Sequence, residues 1–173
     1  MYLSLWILAL VSLQLSGAER GPLDENLKVL EPFLGSWRGE FKSSTPEKPM
    51  VDVSLWERAL NGKAVRITHS INEGVYGGET IVTWDAEKKS IVYHYFSTGD
   101  FQTKGTMKVA GKKLECHEVV IGNAGGAREV KAVIEMKGDD AMETSTKLLK
   151  DGSWEQAHEV SYKRAPEVRP TFK

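Results

Sequence analysis

The sequence has little of what usually staples or addresses a small protein, and each shortage closes off a class of function. Its one cysteine, Cys116, cannot form an intramolecular disulfide, and a lone Cys on a strand reads as a small buried hydrophobe. Charge of neither sign is in excess. With 23 basic and 24 acidic residues the formal net charge is −1, so no long-range field gathers nucleic acid or an anionic membrane. Metal-binding spacings are missing: there is no CxxC, no HExxH and no acidic calcium loop. No GxSxG elbow marks a serine nucleophile. The stretch Gly122-Asn123-Ala124-Gly125-Gly126 fits neither the P-loop nor the dinucleotide fingerprint, and it falls between strand-like segments. Crossover helices are absent after Gly35, which excludes a parallel α/β sheet.

What is present suits one domain with a real core, at 40% hydrophobic and 27% charged residues. The apolar run Leu3 to Leu15 is shorter than the ~20 residues a membrane helix needs, and it is followed by Ser16-Gly17-Ala18. Residues 1–18 therefore read as a signal peptide cleaved after Ala18, which predicts a secreted or periplasmic protein with no integral membrane domain after cleavage. Residues 19–35 form an N-terminal helical segment. Within it Leu23, Leu27, Leu30, Phe33 and Leu34 recur at three- and four-residue steps, and Pro32 makes the last turn irregular. Residues 36–165 form the β domain, and 166–173 a short Pro-containing tail, a strand end or loose terminus.

In the β domain, period-two segments alternate with turn chemistry. About ten strands are predicted, over 37–43, 50–58, 63–71, 78–85, 90–97, 101–109, 112–120, 127–136, 141–149 and 153–163. Asn61-Gly62, Gly77-Gly78, Ala110-Gly111, Gly138-Asp139-Asp140 and Asp151-Gly152 are among the turn signals between them. Consecutive hairpins make an up-and-down meander. Closing it into an antiparallel β-barrel removes both exposed edges, so the predicted fold class is all-β, a ten-stranded up-and-down barrel with a short N-terminal helix.

Alternation assigns faces. His69 shares the parity of Val65, Ile67 and Ile71. Arg128 shares that of Val130, Ala132, Ile134 and Met136. Trp154, Gln156 and His158 go with Val160 and Tyr162. The remaining wall is read as Trp37 and Phe41; Val51, Val53 and Leu55; Phe101, Met107 and Val109; Leu114 and Val120; Met142 and Leu148, with Thr103, Glu118 and Thr144 on the same faces. Strand 90–97 is open: Tyr93 and Tyr95 oppose Val92, His94 and Phe96, and either set can be the buried one. An interior of this width holds a small ligand, oriented by a few polar groups in an apolar lining. The candidate ligand-binding residues are Trp37, His69, Phe101, Thr103, Met107, Glu118, Arg128 and His158. For the histidines the plainer reading is a hydrogen-bonded core residue, and for Arg128 and Glu118 an internal or rim ion pair.

A helix ending in Gly-x-Trp and running into the first strand, at Leu34-Gly35-Ser36-Trp37-Arg38-Gly39-Glu40-Phe41, resembles the calycin superfamily of ligand-binding barrels, which includes lipocalins and fatty-acid-binding proteins. The longer run from Pro32 to Glu40 is similar to the opening of the nitrobindin-like haem-binding barrels. It also resembles their exported bacterial relatives, as do Ala64-Val65-Arg66-Ile67-Thr68-His69 and Thr83-Trp84-Asp85. The likeness extends over roughly residues 27–163. It implies a ten-stranded barrel holding haem at one open end through a histidine of the last strand, which His158 matches as the iron ligand, with nitric oxide or peroxynitrite chemistry.

Three readings follow. The preferred one is an exported barrel that binds a small, largely apolar molecule, haem being one version. The second is an enzyme on the same barrel, with His69, Glu118 and His158 as acid–base groups. The third is an exported interaction protein with a packed interior. A lined cavity with both histidines at its wall supports binding, a tight polar cluster supports catalysis, and a filled interior supports the third. Neither nucleic acid nor a chosen oligomeric state is indicated.

Overall fold

The computed structural model describes residues 21–173, so the expected signal peptide and its cleavage after Ala18 lie outside the described residues. Ten antiparallel strands close into a barrel: β1 (Gly35–Phe41), β2 (Val51–Ala59), β3 (Ala64–Ile71), β4 (Tyr76–Asp85), β5 (Ser90–Ser97), β6 (Phe101–Ala110), β7 (Lys113–Gly122), β8 (Glu129–Met136), β9 (Ala141–Lys150) and β10 (Ser153–Arg164). Each strand pairs with its neighbours in sequence. β1 also pairs with β10, from Trp37↔Arg164 to Phe41↔Val160, so no edge is left to recruit another chain.

The N-terminal helix, Glu25–Phe33, is a 3₁₀ helix rather than an α-helix. Its buried residues are Leu27, Leu30 and Phe33, three apart, which is the period that lines up one face of a 3₁₀ helix. Asp24 caps the start, its Oδ1 accepting from Asn26 N at 3.1 Å. The helix seals one end of the barrel. Phe33 stacks on Trp56 with ring centroids 5.6 Å apart, and Leu27 and Leu30 are fully buried with Trp37, Val65 and Val82. Burying each such side chain is worth about 1.5–3 kcal/mol. The seal is locked from β1 and β10: Trp37 Nε1 donates to Phe33 O at 2.8 Å, Arg164 donates to Leu34 O at 2.7 Å and Pro32 O at 2.6 Å, and its guanidinium lies 4.2 Å from the Trp37 ring centre. At the same end Gly62 takes a left-handed φ of 83°, where an added Cβ would strike the backbone oxygen of Pro22.

Several faces differ from the alternation reading. On β2 the inward residues are Asp52, Ser54 and Trp56, all buried, while Val51, Val53 and Leu55 are half-buried on the outer face. Pairing compels this, since Trp37 sits opposite Ser54 and Ser54 opposite His69. On β10 the pairing with β9 shifts between Gln156 and His158, a β-bulge that inserts Ala157 and reverses parity. His158, Val160 and Tyr162 stay with the interior. Trp154 and Gln156 turn outward, Trp154 covering Lys131 Nζ at 4.3 Å. Strand β5 resolves in favour of Tyr93 and Tyr95 inside, with His94 outside, its Nε2 2.6 Å from Gln102 Oε1. Val109 has inward parity but is exposed at the strand end. The tail is pinned rather than loose: Arg169 donates to Ser36 Oγ at 2.8 Å and Thr171 N to Ser70 Oγ at 3.1 Å.

Candidate functional site

The helix fills one end, so the barrel opens at the other, between the β1–β2, β3–β4, β5–β6, β7–β8 and β9–β10 connections. Inside lies a cavity of about 580 Å³, with a smaller lobe of about 180 Å³ beneath it toward the helix. The residues common to both lobes are Asp52, His69, Thr80, Tyr93, Glu118, Thr144 and Tyr162. All are polar. They form a belt across the barrel, with an apolar floor of Trp56, Ile67, Met107, Ile134 and Met142 on one side. On the other side a wall of Phe41, Ile71, Phe101, Val120, Val130, Leu148 and Val160 leads to the mouth.

Local sequence explains how bulky tyrosines fit the wall. An added Cβ on Gly105, the β6 partner of Tyr93, would lie 2.8 Å from the Tyr93 ring. One on Gly78 would lie 2.5 Å from Tyr95, and one on Gly39, opposite Tyr162, would strike the Tyr162 ring and lie 2.7 Å from Val160 Cγ1. Glycines in strand interiors here remove wall so that aromatic rings can occupy it.

One half of the belt is a closed relay. Asp52 Oδ1 is 2.8 Å from His69 Nδ1, and Asp52 Oδ2 accepts from the Tyr162 hydroxyl at 2.9 Å. His69 Nε2 is 3.0 Å from the Tyr95 hydroxyl, which is 2.9 Å from that of Tyr76. With Nδ1–H donating to the carboxylate and Tyr95 O–H donating to Nε2, every member of the relay has a partner. Burial, then the Asp52 carboxylate, raise Tyr162 well above 10; burial, then Tyr76, do the same to Tyr95. These hydroxyls stay protonated.

The other half is less complete. Glu118 accepts from the Thr103 hydroxyl, and burial raises its carboxyl above 4.5 against the opposing pull of Thr103, Tyr93 and His117. Tyr93 is 7% exposed, and its hydroxyl lies close enough to Glu118 and Cys116 to act on both without a hydrogen bond of ordinary length to either. Burial and then the Glu118 charge push the Cys116 thiol up to about 12, so it is a protonated core residue and not a nucleophile.

The structure brings His69, Phe101, Thr103, Glu118 and His158 to the larger lobe and Met107 to the smaller one. Trp37 is fully buried in the sealed end and lines neither lobe. Arg128 precedes β8, is exposed and stands outside the lining; no ion pair joins it to Glu118, whose bonded partner is Thr103. His158 sits at the mouth, its ring edge-on to Phe41 at 5.9 Å between centroids. The residue is exposed, yet partial burial lowers its pKa below 6.5, partly offset by the Ala157 backbone. Among the site residues outside the candidate set, Asp52 lies on the face that alternation assigns to the exterior, Tyr93 and Tyr95 on the strand that alternation leaves open, and Tyr162 on a face it assigns to the interior. A shallower hollow of about 630 Å³ on the outer wall, over Ile81, Val92, His94 and Lys104, carries no comparable set of converging groups.

Fold and site together define a closed antiparallel ten-stranded barrel with a polar-belted interior cavity, open at one end. Residues 24–164 match the family described as protein of unknown function DUF1579, and the chain belongs to that family. No curated protein matches it. Among the described residues no helix is long and apolar enough to cross a membrane, and no cluster of His, Cys, Asp and Glu is arranged to hold a metal ion.

Proposed function

We propose that this barrel is an exported small-molecule-binding protein whose ligand has a largely apolar body in the larger lobe and a polar head at the belt. The carrying observation is the cavity itself, about 580 Å³ with an apolar wall and converging polar groups, inside the range of ordinary ligand sites. The relay weighs against His69 as a free base. Both its ring nitrogens are engaged by protein partners, and the nearby thiol is held protonated. Export rests on the apolar leader and its small-residue cleavage site; a mature protein starting at Glu19 is the expected product.

The test is titration with the neutral fluorophore N-phenylnaphthylamine. Saturable binding of one probe per chain is expected, and Val130→Trp, which fills the lobe from β8, should abolish it. No saturable binding, or a folded Val130→Trp protein that binds as well as the parent, removes the reading.

Haem is a second reading, favoured by His158: an imidazole at an open, apolar mouth, its pKa lowered by partial burial, can ligate iron. Among the described residues neither lobe is lined by Lys or Arg, so haem propionates would have to stay in solvent. A Soret band on haemin addition, lost in His158→Ala, supports this version; a spectrum indifferent to His158→Ala excludes it.

A further inference from the structure

The belt is asymmetric, and its unfinished half tells what head group it takes. Asp52 already receives His69 and Tyr162, so its oxygens are committed. Glu118 receives the Thr103 hydroxyl and has acceptor capacity left. Beside it Tyr93, more than nine-tenths buried, lines both lobes, and its hydroxyl, close to Glu118, has no partner within hydrogen-bond distance. A buried polar group left unmatched is costly, and such groups are retained where a ligand completes them. The surrounding charge is one-sided: among the described residues the lining carries carboxyl groups and no Lys or Arg. Tyr76, Tyr95 and Phe101 also line the larger lobe, and aromatic rings attract cations.

We propose that the corner formed by Glu118 and Tyr93 is a head-group subsite for an organic amine, whose ammonium donates to the Glu118 carboxylate and the Tyr93 hydroxyl oxygen while its apolar body extends toward the mouth. This deepens the small-molecule reading and rests on it. An anionic head would meet carboxyl groups without a counter-charge, and a neutral hydroxyl would make the same contacts without charge assistance. Because burial keeps the Glu118 carboxyl protonated over part of the acid range, amine binding there releases one proton to solvent. The titratable groups facing Glu118 are Tyr76, Tyr93, Tyr95 and Cys116, all raised by burial and protonated at neutral pH, and across the belt the hydrogen-bonded Asp52–His69 pair; His117, paired with Glu129, acts on it from the neighbouring position of the same strand.

The experiment is displacement of N-phenylnaphthylamine from the full chain by octylamine, octanol and octanoate, which share one apolar body. Octylamine should displace the probe at concentrations about tenfold or more below octanol near neutral pH, with octanoate weakest. Its affinity should climb with pH in the acid range, by up to about tenfold per pH unit, until Glu118 is ionised. Glu118→Gln should erase both the preference and the pH slope while octanol binding stays within about threefold, and Tyr93→Phe should weaken octylamine selectively. Equal displacement by octanol and octylamine, or a preference that survives Glu118→Gln, overturns the amine assignment and leaves cavity binding intact. Probe that never binds overturns both.

Discussion

Substituting Glu118 by Gln should remove a loss of stability that sets in as pH rises from the acid range, and the size of the effect follows from linkage. Glu118 lies between the two lobes, and burial, the largest influence on it, raises its carboxyl above the ordinary 4.5. In the unfolded chain the group ionises near that ordinary value. Between the two values the native state therefore holds a proton that the unfolded state has lost, so stability falls as pH rises. The contribution is complete below about 4.5 and is gone once the folded carboxyl has titrated. Over that interval the slope is about 1.4 kcal/mol per pH unit for one group. Gln keeps an oxygen for the Thr103 hydroxyl and cannot ionise, so the variant loses the slope and little else. Chemical denaturation of both proteins across the acid to neutral range gives the comparison directly. Their stabilities should be closest at low pH and diverge upward in favour of Glu118→Gln until the difference levels off. Parallel curves would refute the reasoning, because they would mean that Glu118 ionises as readily inside the barrel as in water.

Two other substitutions probe the belt and the wall. Asp52→Ala leaves both the His69 Nδ1–H and the Tyr162 hydroxyl without an acceptor and should cost roughly 3 kcal/mol, whereas Asp52→Asn, retaining an acceptor and a donor, should cost clearly less; equal losses in urea titration would contradict the relay. Gly39→Ala should destabilise by about 1–3 kcal/mol through overlap with the Tyr162 ring and Val160, and a thermal midpoint unchanged from the parent would show that the ring does not lie on that glycine.

Turn chemistry and alternation were enough to read ten strands, their order and closure, because each hairpin is punctuated by residues with a backbone reason to be there. The helix was legible as apolar spacing, but its type lay in a detail: Leu27, Leu30 and Phe33 are spaced by three and not by three and four in turn. The belt was harder. Assigning the apolar side of a strand to the interior presumes an oily interior, and on β2 that presumption placed Val51, Val53 and Leu55 inside and hid Asp52. The exchange makes physical sense once the interior is a polar-belted cavity: the acid has partners there, and the β-branched residues cover half-buried outer surface between strands.

The correct face of β2 was nonetheless implicit in what was read. Residues directly opposite across an antiparallel hairpin share a face, and the turn at Asn61-Gly62 sets His69 against Ser54. Granting His69 to the interior therefore grants Ser54, and with it Asp52 and Trp56. The same propagation carries from Val82 to Tyr93 across the β4–β5 turn, deciding His94 as an outer residue. In a closed meander one trusted inward residue fixes every face, strand by strand, until something breaks the register. Ala157 is that break. No residue type announces a bulge there, since alanine neither demands nor forbids it, and so Trp154 and Gln156 went with His158 when they belong outside. The limit on reading this interior was thus one inserted residue near the mouth, on the strand that carries the histidine a haem would need, and bulges concentrate where a strand must re-aim a side chain.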